Sequence, residues 1–288
     1  KLTLGQLQMS SNGRFSSFLR ESLLHAKPVL TETGKLGIIR LDYDYPPSPG
    51  DVDHPESFPY QVVYRVVPGL TFEMCQSGKM TPEVEVEFKK ALVFLVNNKV
   101  DCITGDCGFM MYFQQLARRS VDVPVFMSAL TQLPSLVSAS CYRDQIGIFT
   151  ANSNTLDPMR DVIKKECSIQ VTDDKFIIIG CQDVPGFEAV ERGEKVDVDM
   201  VAPGIIELAK KAMARHKNMK YILLECTELP PYAGQLRMET GLPVYDAITA
   251  CDFFMSGFQE SGQFGISRWR SIPGERMSYK FGDNLDNQ

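Results

Sequence analysis

The sequence predicts an α/β protein built from two pseudo-symmetric lobes, each a mainly parallel sheet flanked by helices. Three observations carry that expectation. From Leu36 onward, short apolar runs of strand character alternate with longer stretches of helical spacing, the pattern of parallel sheets with helices on their faces. A strand–cysteine–helix–strand unit then occurs twice. Finally, a hydrophobic content of 44% over 288 residues is ordinary for a globular chain and can cover a sizeable core, as one large domain or two smaller ones.

The elements follow in order. Residues 36–41 form a strand that Asp42 ends, and 45–60 hold five prolines and read as a loop. A strand over 61–67 precedes a helix over 81–97, which Thr81 and Pro82 open favourably. Strands over 100–104 and 123–127 alternate with helices over 109–120 and 131–139. The second half repeats the alternation with strands at 145–149, 175–180 and 220–225 and helices at 155–166 and 199–216. Helices over 231–239 and 245–255 close it. Near the start, Phe15, Phe18, Leu19, Leu23 and Leu24 share one face of an amphipathic helix over 12–27. The expected organisation is an arm over 1–35, a first lobe over 36–142 completed by 243–256, a second lobe over 143–242, and a polar tail over 257–288.

Charge and cysteine usage exclude several classes. A net charge of −6 argues against binding nucleic acid by its backbone or resting on an anionic membrane. No apolar run approaches the length that spans a bilayer. The eight cysteines are scattered without a C-x-x-C pair, and His25, His54 and His216 form neither a metal nor a triad pattern. Neither a metal nor another cofactor is expected. Free thiols in a reducing compartment fit this usage, so a cytoplasmic location is expected.

The repeated unit carries the chemistry. Val100-Asp101-Cys102-Ile103-Thr104-Gly105-Asp106-Cys107 leads to Val123-Pro124-Val125, and Tyr221-Ile222-Leu223-Leu224-Glu225-Cys226 leads to Leu242-Pro243-Val244. The proline lies 17 residues after the cysteine in both units, and the two cysteines are 119 residues apart. Ligands of such sheets bind beyond the carboxyl ends of the strands, where Cys107 and Cys226 stand. A helix starting after each would favour the thiolate. Gly105 and Gly108 permit a tight turn and close approach of a ligand. Thr227 offers a hydroxyl to a carboxylate, and Glu228 adjusts the charge of the neighbouring thiol. Ser128, Thr150 and Asn152 also follow apolar strands and suit an anionic ligand, while Asp42 either reaches the cleft or ends its strand in solvent. Cys102, Cys141, Cys167, Cys181 and Cys251 read as packing, and Cys75 stays open. A single cysteine is more often structural; a repeated pair at strand–helix junctions points to proton transfer at carbon.

Cys107-Gly108-Phe109 and Leu224-Glu225-Cys226-Thr227-Glu228 resemble the two catalytic cysteine segments of the aspartate/glutamate racemase superfamily. The resemblance covers roughly 36–255. It implies two flavodoxin-like lobes with the site between them, a homodimer, and cofactor-independent racemisation of a small carboxylate, foremost an acidic amino acid. Cys107 and Cys226 would carry the proton transfers, and Thr227, Thr150 and Asn152 would help hold the substrate carboxylate. Many members have Asn-Thr after the first cysteine where this chain has Gly108 and Phe109, so these two positions bear on substrate identity. A hydantoin-type racemase, a decarboxylase, a cis–trans isomerase and an inactive binding protein are the alternatives on the same scaffold.

Overall fold

The computed structural model describes residues 34–44, 46–172 and 174–259. The helix expected over 12–27 and nearly all of the expected tail lie outside them. Eight described strands form two sheets. The first contains β1 (Lys35–Arg40), β2 (Gln61–Val66), β3 (Cys102–Gly105) and β4 (Val125–Phe126) in the order β2-β1-β3-β4. The second contains β5 (Gln145–Thr150), β6 (Phe176–Gly180), β7 (Met219–Leu224) and β8 (Val244–Tyr245) in the order β6-β5-β7-β8. All pairings are parallel, and the two orders are identical, which makes β3 and β7 equivalent strands. This is the two-lobed α/β architecture expected.

Burial explains the strand composition. Every residue of β3 is buried, as are all but the end residues of β1, because helices cover both faces of a parallel sheet. In the first half α1 (Phe72–Ser77) and α2 (Pro82–Asn97) connect β2 to β3. A 3-10 segment (Gly108–Phe113) and α3 (Gln114–Ser120) then lead to β4, and α4 (Leu133–Ala139) leads to β5. In the second half α5 (Ser153–Leu156) and α6 (Arg160–Cys167) precede β6, α7 (Ala189–Arg192) and α8 (Val198–Arg215) precede β7, and α9 (Ala233–Thr240) precedes β8. The last described helix, α10 (Ala247–Ser256), lies against β1 and β3 of the first sheet. Among the described residues no helix is long and apolar enough to cross a membrane.

Four expected helices are interrupted, the one over 231–239 by a 3-10 turn at Pro230–Tyr232. The one expected over 109–120 begins as a 3-10 segment whose Phe109, Met110, Met111 and Phe113 are all buried, so no polar face is left for a regular amphipathic turn. The one expected over 155–166 is broken at Pro158, which lacks the N–H that an α-helix needs there. The one expected over 131–139 likewise starts with a 3-10 turn before Pro134. Two short helices were not expected, α1 and α7. Each follows an edge strand of its sheet, β2 and β6, so they too are equivalent. Thr71 caps α1 by accepting from the Met74 N–H at 3.3 Å, and Gly78 ends it at φ 66°, where a side chain is strained.

Candidate active site

Cys107 lies two residues past the end of β3, and Cys226 two residues past the end of β7. An acid precedes each. Asp106 N–H donates to the Ile39 carbonyl at 3.0 Å and Glu225 N–H to the Phe149 carbonyl at 2.7 Å, so each acid extends its strand by one rung against the central strand. The two segments touch directly. The Thr227 hydroxyl donates to the Asp106 carbonyl at 2.5 Å, and the space where a Cβ of residue 108 would stand is occupied by the Glu225 carboxyl and carbonyl. Glycine at 108 is therefore required by close packing between the cysteine segments.

A cavity of about 190 Å³ opens beside this junction. That is a small-molecule volume, below the range of drug-sized pockets. Cys107 and Glu228 border it together with Asp42, Tyr43, Phe72 and Arg192. Glu73 of α1 and Glu191 of α7 complete an acidic, partly aromatic wall. The two unexpected helices thus both supply part of the lining. Their signal was present in the sequence as short helix bounds, Thr71 before and Gly78 after α1, and Gly193 after α7.

The thiols are not in the state the sequence suggested. Cys107 is pushed well above the usual thiol range by the neighbouring Cys75 thiol, then by burial and by the nearby Glu228 and Asp106 carboxyls. Cys226 is pushed up by burial first and by Glu228 second. No helix terminus holds the Cys107 thiolate as expected: the 3-10 segment after it is only six residues long, and the Cys75 thiol, burial and the nearby acids outweigh its dipole. What Cys226 has instead is a base. Its thiol donates to Glu228 Oε2 at 2.8 Å, and the Thr227 hydroxyl reaches the same oxygen at 3.3 Å. Burial raises the Glu228 carboxyl, while these donors pull it back towards the ionised form.

The other expected positions separate by location. Asp42 is on the cavity wall, where its Oδ2 accepts from Gly69 N–H at 2.7 Å. Phe109 is buried against Phe72, ring centroids 6.1 Å apart, and so acts on the cavity only through that ring. Ser128 caps the 3-10 turn that follows it by accepting from Leu130 N–H. Thr150 is fully buried next to Glu225. Asn152 caps α5 and borders a smaller pocket with Gln182 and Glu188. Cys75, left open before, is a buried neighbour of Cys107, whereas Cys141, read as packing, is exposed. Sequence reasoning missed Asp53, Asp106, Tyr43 and Glu225. Asp53 sits in the proline-rich loop, which is anchored rather than free: Arg40 grips both carboxylate oxygens at 3.0 Å. Among the described residues no group of three or more His, Cys, Asp or Glu is placed to hold a metal ion.

No family model matches the chain. Among curated proteins, dimethylsulfoniopropionate lyase 7 of Emiliania huxleyi (strain CCMP1516) is 52% identical over 265 residues, covering 90% of this chain and 78% of that protein. The dimethylsulfoniopropionate lyase of Durusdinium sp. clade D is 50% identical over 255 residues, covering 88% and 85%. The chain belongs to the dimethylsulfoniopropionate lyase family. The expected assignment as an isomerase, an amino-acid racemase of acidic amino-acid metabolism, is overturned by these relatives, which are lyases. The resemblance to the aspartate/glutamate racemase superfamily holds at the level of fold. Allantoin racemase from Klebsiella pneumoniae superposes with a TM-score of 0.55 at 15% identity, over 78% of this chain and 87% of that one. Unliganded arylmalonate decarboxylase gives 0.51 at 14% identity, over 80% and 94%. At such identity the lyase-family chain shares a scaffold with racemases, and the scaffold alone does not choose the reaction.

Proposed function

We propose that the protein is a lyase that cleaves dimethylsulfoniopropionate by β-elimination, with the Cys226–Glu228 pair as its proton acceptor. The observation that carries this is the 2.8 Å hydrogen bond from the Cys226 thiol to a carboxylate on the cavity wall. Racemisation needs a proton donor and an acceptor on opposite faces of one carbon. Elimination needs one base and a leaving group. A thiol already paired with its base, Glu228, which borders the same cavity as a second thiol pushed towards its protonated form, suits the latter.

The substrate carries a positive sulfonium at one end and a carboxylate at the other. The Tyr43 and Phe72 rings and the Glu73, Glu191 and Glu228 carboxylates suit the cation. Arg192 at the rim and the Cys107 thiol suit the carboxylate. Glu228 draws the proton from Cys226, and the thiolate removes a proton from the carbon next to the carboxylate. Those electrons form the carbon–carbon double bond as the carbon–sulfur bond breaks. Dimethyl sulfide leaves with the bonding pair, acrylate remains, and the proton passes from the Cys226–Glu228 pair to solvent. Cys107 donates to the carboxylate as negative charge grows on it.

Purified protein incubated with dimethylsulfoniopropionate, with headspace dimethyl sulfide and dissolved acrylate measured together, tests the reading. The expected result is equal amounts of both, reduced by ~10²–10⁴ in Cys226→Ser. No dimethyl sulfide from the wild type, or full turnover in Cys226→Ser, would refute it.

A further inference from the structure

Asp106 is almost completely buried, directly behind Cys107 in the chain. Its Oδ2 accepts from Leu41 N–H at 2.9 Å, whereas its buried Oδ1 has no N–H or O–H donor to accept from. The side-chain neighbour of that carboxyl is Asp53, itself buried. Both oxygens of Asp53 are taken by Arg40, Nε on Oδ1 and a terminal nitrogen on Oδ2, and the Tyr43 hydroxyl, neutral itself, is a further partner of the same carboxylate. Two neighbouring buried acids, of which only Asp53 is paired with the guanidinium, leave one negative charge too many unless a proton lies between them. Arg40 claims Asp53, so the proton belongs on Oδ1 of Asp106, where it also satisfies the one oxygen that lacks a partner.

We infer that Asp106 is held as a neutral carboxylic acid whose Oδ1–H donates to Asp53, and that it thereby keeps negative charge away from Cys107. It is a positioning residue, acting through the Cys107 thiol and not on substrate. The ionisable groups around it are Asp53 of the loop, Arg40 of β1, Tyr43 after β1, Cys75 of α1 and Cys107 itself. With Asp106 neutral, the Arg40–Asp53–Asp106 cluster is uncharged overall. A substrate carboxylate can then approach Cys107 without facing a second carboxylate behind the thiol. That consequence rests on the proposed reaction; the protonation state does not.

Charge counting separates the variants. Asp106→Asn retains a neutral donor towards Asp53, so the charge near Cys107 stays the same. Asp53→Asn removes the anion that Arg40 claims, so the charge moves to Asp106, one position closer to the thiol. The experiment follows iodoacetamide labelling of Cys107 against pH by peptide mass spectrometry, with infrared difference spectra in H2O and D2O. Labelling of Asp106→Asn is expected to stay within about threefold of wild type at each pH, and that of Asp53→Asn to move to higher pH by about one unit or more. The wild-type spectrum at neutral pH should contain a D2O-sensitive protonated-carboxyl band that Asp106→Asn removes and Glu225→Gln leaves.

An acid-ward move of about one unit in Asp106→Asn overturns the inference, as does an Asp53→Asn profile that coincides with wild type. Wild-type protein whose protonated-carboxyl signal is wholly removed by Glu225→Gln also overturns it, without needing either aspartate variant to fold. Since labelling and spectra are read without substrate, absence of lyase turnover would refute the proposed reaction and leave this result standing.

Discussion

Cys107 and Cys226 occupy equivalent places in sheets of the same strand order, yet their half-sites are built differently. The Cys226 half pairs its thiol with Glu228, an acid two residues on that reaches back to the sulfur. The Cys107 half has no such base. Its neighbours are the Cys75 thiol and an acid, Asp106, tied to Leu41, Asp53 and Arg40. The acids preceding the cysteines diverge as well. Asp106 accepts the Leu41 N–H and lies beside Asp53, whereas Glu225 has only the Thr150 hydroxyl beside it and burial lifts that carboxyl to about 8. A duplicated topology thus carries one half whose thiol donates to a carboxylate and one whose thiol lies beside another thiol. Such asymmetry fits elimination better than a symmetric exchange of protons.

The largest expected effect tests whether the halves differ at all. Glu228→Gln should lower dimethyl sulfide release by ~10²–10⁴, and Cys107→Ser by ~10²–10³. Rates alone do not separate them, but pH does. Glu228 must be ionised to take the Cys226 proton, and its folded-state pKa lies above the usual carboxylate value. Wild-type kcat/KM should therefore fall as pH drops through that raised value. Cys107→Ser should keep this limb and Glu228→Gln should lose it. If both variants keep it, Glu228 is not the base.

The next effect concerns stability. Glu225 holds its proton in the folded protein up to about pH 8, while the unfolded chain ionises at the ordinary carboxylate value. Between those limits the folded state binds more protons, so stability must fall as pH rises through the window. Urea titrations should show that fall in the wild type and a flatter curve in Glu225→Gln. A smaller loss, ~1–3 kcal/mol, is expected for Gly108→Ala, because the added methyl meets Glu225. The same substitution in Glu225→Gln would report how far that side chain yields. The smallest is Thr227→Val, which removes the hydroxyl bond to the Asp106 carbonyl and should cost about 1 kcal/mol in urea unfolding.

Much of the scaffold was legible from local pattern. Apolar runs at 36–41, 100–104, 145–149 and 220–225 marked the strands, since parallel strands buried on both faces must be apolar throughout. The repeated strand–cysteine–proline spacing singled out Cys107 and Cys226 among eight cysteines. The cavity walls were less visible. Helices α1 and α7 are six and four residues long, too short for a period to register. Asp53 and Asp106 are 53 positions apart in the numbering, and only folding brings the proline-rich loop onto the end of β1 and β3. The racemase expectation failed for a related reason: the repeated cysteine segments mark the scaffold, and one scaffold serves more than one reaction class.

By itself, then, the sequence determined the α/β class, the twofold repeat and the two cysteines, because each is written in spacing along one short stretch. Only the tertiary structure decided what those thiols are. It buried both, which raises them, and placed Glu228 against one and Asp106 with Cys75 against the other. Protonation depends on burial and on charges brought together from distant segments, and neither is a property of local sequence.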